Sequence, residues 1–354
     1  MLSWIWYKII VRKVDGMRHK QVALWGFGAM GQGIAKMIDS KEGIEIAGIC
    51  DNNPSFEGKS LGDILSIIKK NRDLPIQNDI DKVLNKDLDL VLIATDSFVK
   101  KTFSKIEKVV EKGINVISTA EEMAYPYASE PDLAKEIDAL AIKNNVTVLG
   151  TGINPGFVMD LLPIFMSAAM EQVERIEVTR VNSLSPFGKT VMEEQGVGLT
   201  LEAFNSKRKL NELAGHVGFR ESVYMIAEAL KVEVDDFSQK MEPIITNVDR
   251  KSPYGEALKG TVAGINMTAE ATVNGKPFII MKHPQQIEPG AEGIDTGDYV
   301  TLHGSPEIKL SVKPEIEGGI GTVAMCVNSI PSVIEAAPGL KTMIDLPVPR
   351  AVTK

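Results

Sequence analysis

Two adjacent carboxylates, Glu121 and Glu122, follow an apolar segment and are well placed for proton transfer. A carboxylate that is desolvated beside a reacting centre has a raised pKa, which suits it to general acid–base catalysis. Acidic residues also favour the first turn of a helix, so the pair could instead open a helix. Adjacent side chains rarely point the same way. We therefore predict Glu121 as the acid/base and keep Glu122 as a candidate for substrate binding.

A glycine-rich turn follows the first apolar strand. Residues 22–31 read as a strand that runs into G-x-G-x-x-G, with glycines at Gly26, Gly28 and Gly31. In this motif the first glycine permits a tight turn, the second lets the backbone approach a pyrophosphate, and the third allows close packing of helix and strand. The start of the following helix offers free N–H groups to phosphate. The predicted dinucleotide-binding residues of this turn are Gly26, Phe27, Gly28, Ala29, Met30 and Gly31.

An acid stands where such a fold binds ribose. A second apolar strand, Ile44–Cys50, is followed by Asp51, twenty residues after Gly31. In dinucleotide folds an acid at this spacing accepts hydrogen bonds from the ribose hydroxyls and repels a 2′-phosphate. We therefore expect NAD as the cofactor. Lys59 on the next loop keeps NADP possible.

Two further strand ends should face the same cleft, because ligands of open α/β sheets bind beyond the carboxyl ends of the strands. Ala94 and Thr95 follow a continuous apolar strand, and Asn154 lies in a glycine-rich loop after another. We expect these three residues to contact the cofactor and Asn154 to contact substrate as well. Arg180 and Arg220 are candidates for binding a carboxylate, which a guanidinium binds bidentately. A surface role is the alternative for both.

The remaining motifs favour no metal. His19, His216, His283 and His303 are scattered without the spacing of a metal site, and we assign them structural or solvent roles. The net charge of -8 argues against a nucleic-acid surface. Two cysteines fit a reducing cytoplasm. Residues 1–16 are apolar but too short to cross a membrane, and we expect Met17 to be the natural start.

The elements that position these residues predict an α/β protein of two domains. A Rossmann-type doubly wound parallel sheet should occupy residues 17–155, because strands and helices alternate there. An α+β substrate and dimerisation domain with a mostly antiparallel sheet should follow at 156–318, and a helix and tail at 319–354 should return to the first domain. The pattern also predicts helices at 63–70, 98–112 (capped by Ser97), 131–143 and 191–230 (broken near 215–218), strands at 115–118 and 175–183, and a hairpin at 274–275.

Four segments carry a family resemblance, at residues 23–31 (ALWGFGAMG), 120–126 (AEEMAYP), 150–157 (GTGINPGF) and 337–347. They resemble the 2,4-diaminopentanoate dehydrogenases of anaerobic ornithine breakdown, over about residue 17 to the C-terminus. The wider group includes amine dehydrogenases and is similar in layout to dihydrodipicolinate reductases.

The resemblance implies a definite reaction. An amine would be oxidised at C4 of 2,4-diaminopentanoate with NAD(P), and the imine hydrolysed to a ketone and ammonia. It also implies a catalytic glutamate that matches Glu121, and a homodimer. The alternatives are an imine reductase similar to dihydrodipicolinate reductase and a non-enzymatic NAD-binding protein.

Overall fold

The computed structural model describes residues 18–85 and 87–352. The expectation that residues 1–16 precede the natural start therefore falls outside the described residues.

The first half of the chain alternates strands and helices. In order, the elements are β1 (Lys20–Trp25), α1 (Ala29–Asp39), β2 (Ile44–Cys50), α2 (Leu61–Ile64), β3 (Ile76–Gln77), α3 (Asp81–Leu84), β4 (Leu90–Ile93), α4 (Val99–Val110), β5 (Asn115–Ser118), α5 (Pro131–Lys143) and β6 (Thr147–Gly150). A 3-10 helix at Glu121–Ala124 lies between β5 and α5. The predicted elements at 44–50, 115–118 and 131–143 are confirmed to the residue.

The second half contains a second sheet and a returning helix. Its elements are α6 (Leu161–Ser167), β7 (Gln172–Ser183), α7 (Lys189–Glu194), α8 (Leu201–Lys209), α9 (Phe219–Leu230), β8 (Asp236–Ile245), β9 (Arg250–Lys251), β10 (Glu256–Ala257), β11 (Val262–Val273), β12 (Lys276–Gln286), β13 (Gly297–Ser305), β14 (Ile308–Val312), α10 (Gly318–Glu335) and β15 (Gly339–Lys341).

The first sheet is parallel throughout, in the order β15-β6-β5-β4-β1-β2-β3. One apolar core lies on each face of this sheet. Val22 and Ala23, which are consecutive in β1 and point to opposite faces, belong to different cores. Helix α10 packs against α1, and β15 pairs with β6. The end of the chain thus completes the first sheet, and the Rossmann-type prediction is confirmed.

The second sheet has six strands in the order β14-β13-β7-β12-β11-β8. Four of its strand pairs are antiparallel, but β7 and β12 are parallel. The predicted mostly antiparallel sheet is therefore present, and β7 pairs antiparallel with β13 but parallel with β12, because a long crossover brings β12 back in the same direction. Asn274 and Gly275 have φ of 52° and 71°, and form the predicted hairpin turn.

Two predicted helical segments differ from the structure. The region at 191–230 contains three helices, because the chain also turns at Gly196 and Gly198, which have positive φ. The helix expected at 63–70 is the single turn α2 at Leu61–Ile64. Beyond it, the Asp39 carboxylate accepts the N–H groups of Lys69 and Lys70, at 3.1 and 2.7 Å. These donors are thus bonded outside any helix.

The strand β8 has no counterpart in the sequence prediction. It lies at the edge of the second sheet and contains Pro243 and several charged residues. Proline and charge are common on edge strands, where one side of the backbone needs no partner, and they obscure the apolar alternation. Among the helices that the structure describes, none has the length and apolar character needed to cross a bilayer.

Replacing Asp39 tests the account of the short helix α2. We expect Asp39→Ala to lower the free energy of unfolding by about 1–3 kcal/mol, because two backbone donors lose their acceptor. Chemical denaturation measures this change. Asp73→Ala, which removes an exposed carboxylate nearby, is the control. Equal stability of the two variants would contradict the account.

Candidate active site

The turn after β1 is built from backbone contacts that only glycine permits. Gly26 has φ of +101°, and a Cβ there would lie 2.4 Å from the Ala94 carbonyl oxygen. A Cβ on Gly31 would lie 2.1 Å from the Gly26 carbonyl oxygen. The turn is therefore pressed against the end of β4 on one side and against the first turn of α1 on the other.

Gly28 differs from these two glycines because its surroundings are open. A Cβ added there would meet no described atom within 4 Å. Gly28 is also the N-cap of α1, without a side-chain cap. The unbonded N–H groups at a helix start attract phosphate. The backbone at Gly28, Ala29 and Met30 therefore fits a dinucleotide pyrophosphate.

Asp51 lies directly after β2 and fixes the turn. Its carboxylate accepts the Phe27 N–H at 2.5 Å and the Asn53 N–H at 2.8 Å. The Phe27 side chain is fully buried and packs edge-on against Phe56, with ring centroids 5.7 Å apart. Phe27 can therefore contribute only its backbone to a cofactor, while Asp51 stands at the ribose position of such a fold.

A cavity of about 440 Å³ lies between the two sheets. The loops after β4, β5 and β6 form one wall, and strands β7 and β12 with the start of α10 form the other. Of the residues predicted from the sequence, it is lined by Met30, Ala94, Thr95, Glu121, Asn154 and Arg180. The cavity thus brings the cofactor and substrate candidates together.

Two carboxylates line this cavity, Glu121 and Asp96, and Asp96 is paired with Lys105. Glu121 begins the 3-10 helix after β5. Burial raises the pKa of Glu121, and the charge of Glu122 adds to the shift, whereas a hydrogen bond from the Ser97 side chain opposes it. A carboxyl group with a raised pKa can hold or release a proton nearer to neutral pH. Glu121 therefore has the environment of an acid/base.

Glu122 faces a different region. Its carboxylate accepts the Val99 N–H at 2.8 Å and lines a second cavity, of about 730 Å³. It does not line the cavity of Glu121. The prediction that Ser97 caps α4 is wrong: Phe98 is the N-cap, without a side-chain cap bond of its own, and Glu122 provides the acceptor. This long-range contact cannot be inferred from the sequence near α4.

Arg180 lies on β7, only 2% exposed. It forms an ion pair with Asp298 at 2.5 Å and donates to the Ile316 carbonyl oxygen at 2.5 Å. The other arginine candidate, Arg220, is exposed and donates to the Ala128 carbonyl oxygen at 3.0 Å. Only Arg180 lines the cavity of Glu121.

Several polar residues of this cavity were not predicted as site residues, among them Asn182, His216, His283 and Gln285. Assigning structural or solvent roles to His216 and His283 left them out of the site. A signal was present, because Arg180 and Asn182 on β7, and His283 and Gln285 on β12, are each two residues apart. Residues at that spacing share a face of a strand, and polar pairs on a buried face indicate a ligand.

Both histidines of the cavity are neutral at neutral pH. Burial, with the Arg180 charge, lowers the pKa of His216 to about 3. The pKa of His283 is also well below its usual value, through burial and the charges of His216 and Arg180. The His283 Nδ1–H donates to the Arg180 carbonyl oxygen at 2.8 Å, so its Nε2 is an acceptor.

Several buried polar atoms of this cavity have no hydrogen-bond partner within the described part of the chain. They are Thr151 Oγ1, both amide atoms of Asn154, Asn182 Oδ1, His216 Nε2 and Gln285 Nε2. A buried polar atom without a partner costs free energy. Their clustering in one cavity therefore indicates a ligand with several polar groups. Among residues 18–85 and 87–352, no group of three or more His, Cys, Asp or Glu could hold a metal ion.

A Rossmann domain with this turn, facing a cavity that holds a buried carboxyl group with a raised pKa, is typical of a dinucleotide-dependent dehydrogenase. Two family models match the chain. The "2,4-diaminopentanoate dehydrogenase C-terminal domain" covers residues 157–354, and "Dihydrodipicolinate reductase, N-terminus" covers residues 20–146. The chain belongs to the 2,4-diaminopentanoate dehydrogenase family. It is thus an oxidoreductase with an NAD(P)-binding fold.

Individual relatives agree with this assignment. The 2,4-diaminopentanoate dehydrogenase of Acetoanaerobium sticklandii is 54% identical over 95% of this chain and 96% of its own. An amine dehydrogenase of Streptomyces virginiae is 23% identical over 93% of this chain and 96% of its own. The structure of an amine dehydrogenase from Mycobacterium smegmatis, 24% identical, has the same fold, with a TM-score of 0.83 over 94% of this chain and 98% of that one.

Two glycine variants test the cofactor turn. We expect Gly28→Ala to keep the stability of the protein but to raise the Kd for NAD(P) about tenfold, or about 1.4 kcal/mol, because its methyl group stands where the pyrophosphate approaches. Gly26→Ala, at positive φ, should instead lower the free energy of unfolding by more than about 1 kcal/mol. Cofactor titration and thermal denaturation separate the two effects. An unchanged Kd for Gly28→Ala would contradict the assignment.

Proposed function

We propose that this protein catalyses the oxidative deamination of 2,4-diaminopentanoate to 2-amino-4-oxopentanoate and ammonia, with Glu121 as the general acid/base. The observation that carries the proposal is the position of Glu121. It lies on the wall of a cavity that also contains the partnerless polar atoms of Asn154, Asn182 and Gln285, beside the dinucleotide turn. Membership of the family supports the choice of substrate.

The reaction consumes one substrate, one NAD and one water. C4 loses a hydride and its ammonium group loses a proton, which leaves an iminium carbon. Water adds to this carbon, and the C–N bond then breaks to release the nitrogen as ammonium, while the proton lost earlier from the substrate ammonium group is released to solvent. NAD, when bound, supplies the hydride acceptor.

Glu121 performs the proton transfers of the hydrolysis. As a carboxylate it accepts a proton from the water that adds to C4, and as a carboxylic acid it returns a proton to the departing nitrogen. Its raised pKa suits it to both tasks, because a higher pKa makes the carboxylate a better proton acceptor and makes its acid form more accessible. In the reverse direction the same group assists the attack of ammonia.

Arg180 and Asn154 bind the polar groups of the substrate in this proposal. A guanidinium has five N–H donors, so the bonds of Arg180 to Asp298 and Ile316 leave donors for a substrate carboxylate. Asn154 offers both a donor and an acceptor to substrate or nicotinamide. Glu122, the third candidate, would act only through the second cavity that it lines.

NAD is the proposed cofactor rather than NADP. The carboxylate of Asp51 is held at the end of β2 by two backbone N–H groups. A fixed negative charge at this position repels a 2′-phosphate and accepts from ribose hydroxyls. Ala94 and Thr95 would border the nicotinamide side of the same site.

A homodimer in the cytoplasm completes the proposal. Apolar side chains are exposed near the small β9–β10 sheet: Val248, Tyr254 and Leu258 are 38%, 53% and 54% exposed. Such groups favour association with another protein surface. The two cysteines, Cys50 and Cys326, are buried free thiols, which suits a reducing compartment. Light scattering of the purified protein measures the oligomeric state.

Replacing Glu121 tests the proposed catalysis. We expect Glu121→Gln to lower kcat for 2,4-diaminopentanoate oxidation about 10²–10⁴-fold, because the amide cannot exchange protons. Reduced-nicotinamide absorbance follows the rate. Glu122→Gln is the matched variant: its amide oxygen can still accept the Val99 N–H, so activity should stay near that of the original protein. If Glu122→Gln abolished amine oxidation while Glu121→Gln kept nearly the original rate, the assignment of Glu121 would be wrong.

Stability separates a chemical effect from damage to the fold. The folded-state pKa of Glu121 is raised, so ionisation at higher pH costs folding free energy, and this cost grows as pH rises through the folded pKa. The Glu121→Gln variant should therefore be at least as stable as the original protein, with an advantage that increases with pH. Thermal denaturation across pH measures it.

Replacing Asp51 tests the cofactor preference. We expect Asp51→Ser to lower the ratio of kcat/KM with NAD to kcat/KM with NADP about tenfold, a change of about 1.4 kcal/mol, because the repulsion of the 2′-phosphate is lost. Asp73→Asn, which neutralises an exposed acid outside the cleft, serves as the control. An unchanged ratio in Asp51→Ser would refute the role of Asp51.

A further inference from the structure

The first turn of α9 contacts both loops that carry the active-site candidates. On one side it reaches the Asn154 loop: Ser222 Oγ donates to Asp160 at 2.8 Å, and Asp160 also accepts the Gly156 N–H at 2.8 Å. Asp160 is fully buried. A buried carboxylate with several donors fixes its neighbours firmly. The Asn154 loop is thus tied to α9.

On the other side the same turn reaches the segment that follows Glu121. The Ser129 hydroxyl donates to Glu221, which is 2% exposed. The neighbouring Arg220 Nε donates to the Ala128 carbonyl oxygen at 3.0 Å. Residues 128–129 lie a few positions after the 3-10 helix Glu121–Ala124. These two bonds connect α9, in the second domain, to the segment that carries the acid/base.

These bonds cross a cavity that borders the Glu121 segment on the side of α9. Met123 is fully buried, and its backbone lies so close to Gly150 that a Cβ there would be 2.1 Å from the Met123 carbonyl oxygen. That side is tightly packed. The opposite side borders the 730 Å³ cavity, lined by Glu122, Ser129 and Glu221. Across this cavity, polar bonds therefore add to the apolar packing of Ala124 and Met225 in holding the segment.

We propose that Glu221 is a positioning residue for Glu121, which it holds in place from the second domain through its hydrogen bond to Ser129. The inference rests on the proposed function, since it concerns the placement of the proposed acid/base. The bond between Ser129 and Glu221 joins the segment of Glu121 to the second domain. It therefore sets the distance between Glu121 and the facing strands β7 and β12. Small misplacements of a catalytic group cost large factors in rate.

The charge of Glu221 affects the strength of this bond. Burial raises the pKa of Glu221 to about 7, with the Glu122 charge adding to the shift and the Ser129 bond and Arg220 opposing it. Above that pH the carboxylate is an ionised acceptor, and bonds to ionised acceptors are shorter and stronger than neutral ones. The other charged or titratable side chains around the same cavity are Glu122, Glu194, Glu212, His216 and Arg220.

A pH series of variants tests the proposal. Glu221→Gln imitates the protonated acid, so kcat of the original protein divided by kcat of this variant should be near one at about pH 6 and rise to about fivefold at about pH 8. Glu221→Ala should lower kcat about tenfold or more, with KM for NAD unchanged, and Ser129→Ala should lower it no further in combination with Glu221→Ala. A purely structural role would not give a ratio that depends on pH.

Controls separate this proposal from the others. Glu228→Gln changes an exposed acid on the same helix and should leave kcat unchanged. If Glu221→Ala fails to fold, Glu221→Gln and Ser129→Ala still give the measurement. A flat kcat ratio for Glu221→Gln, together with unchanged kcat for Ser129→Ala, would overturn the positioning role. Absence of amine oxidation by the unaltered protein would instead overturn the proposed function.

Discussion

The contact between the backbones of Gly26 and Ala94 is the constraint on which the site depends. With only hydrogen atoms on the Gly26 α-carbon, the turn after β1 rests on the end of β4. The next links are hydrogen bonds of Glu122: its N–H donates to the Ser97 carbonyl oxygen at 3.1 Å, and its carboxylate accepts the Val99 N–H. The glycine turn, the loop after β4 and the segment of Glu121 are therefore one connected unit, so the position of the turn and that of Glu121 are not independent.

The facing wall supplies polarity with little free charge. The guanidinium of Arg180 is balanced by Asp298, and His216 and His283 are neutral because burial disfavours their charged forms. In such surroundings a carboxyl group has few cations to stabilise its ionised form, which fits the raised pKa of Glu121. The same surroundings suit a substrate that carries both a carboxylate and ammonium groups, since partnerless donors and acceptors are both present. Electrostatics and hydrogen-bonding capacity thus point to the same kind of ligand.

Much of the fold could be predicted, because its signals are local. Buried parallel strands are rich in apolar residues, so the bounds of β2 and β5 could be predicted to the residue, as could those of α5 with Pro131 at its start. The predictions that were wrong or incomplete have a different cause: the structure there depends on contacts between residues far apart in the sequence. The helix expected at 63–70 is shortened where Asp39, thirty residues earlier, takes the backbone donors, and the parallel pairing of β7 with β12 depends on a crossover of about a hundred residues.

The site residues also divide into those with a local sequence signal and those brought together by long-range contacts. The residues predicted for the first wall, Ala94, Thr95, Glu121 and Asn154, come from their places after strands, and the glycine turn comes from a motif whose spacing encodes its chemistry. The second wall has no motif, because Arg180, Asn182, His283 and Gln285 meet only when β7 and β12 pair, with Asn182 opposite Gln285 in the register. Each strand alone shows two polar residues on one face, which is a weak signal of a binding site. Together, the two strands form one cavity wall with four polar side chains that could bind a ligand. The polar side chains of this wall therefore come together only through sheet pairing, which a linear sequence reveals least.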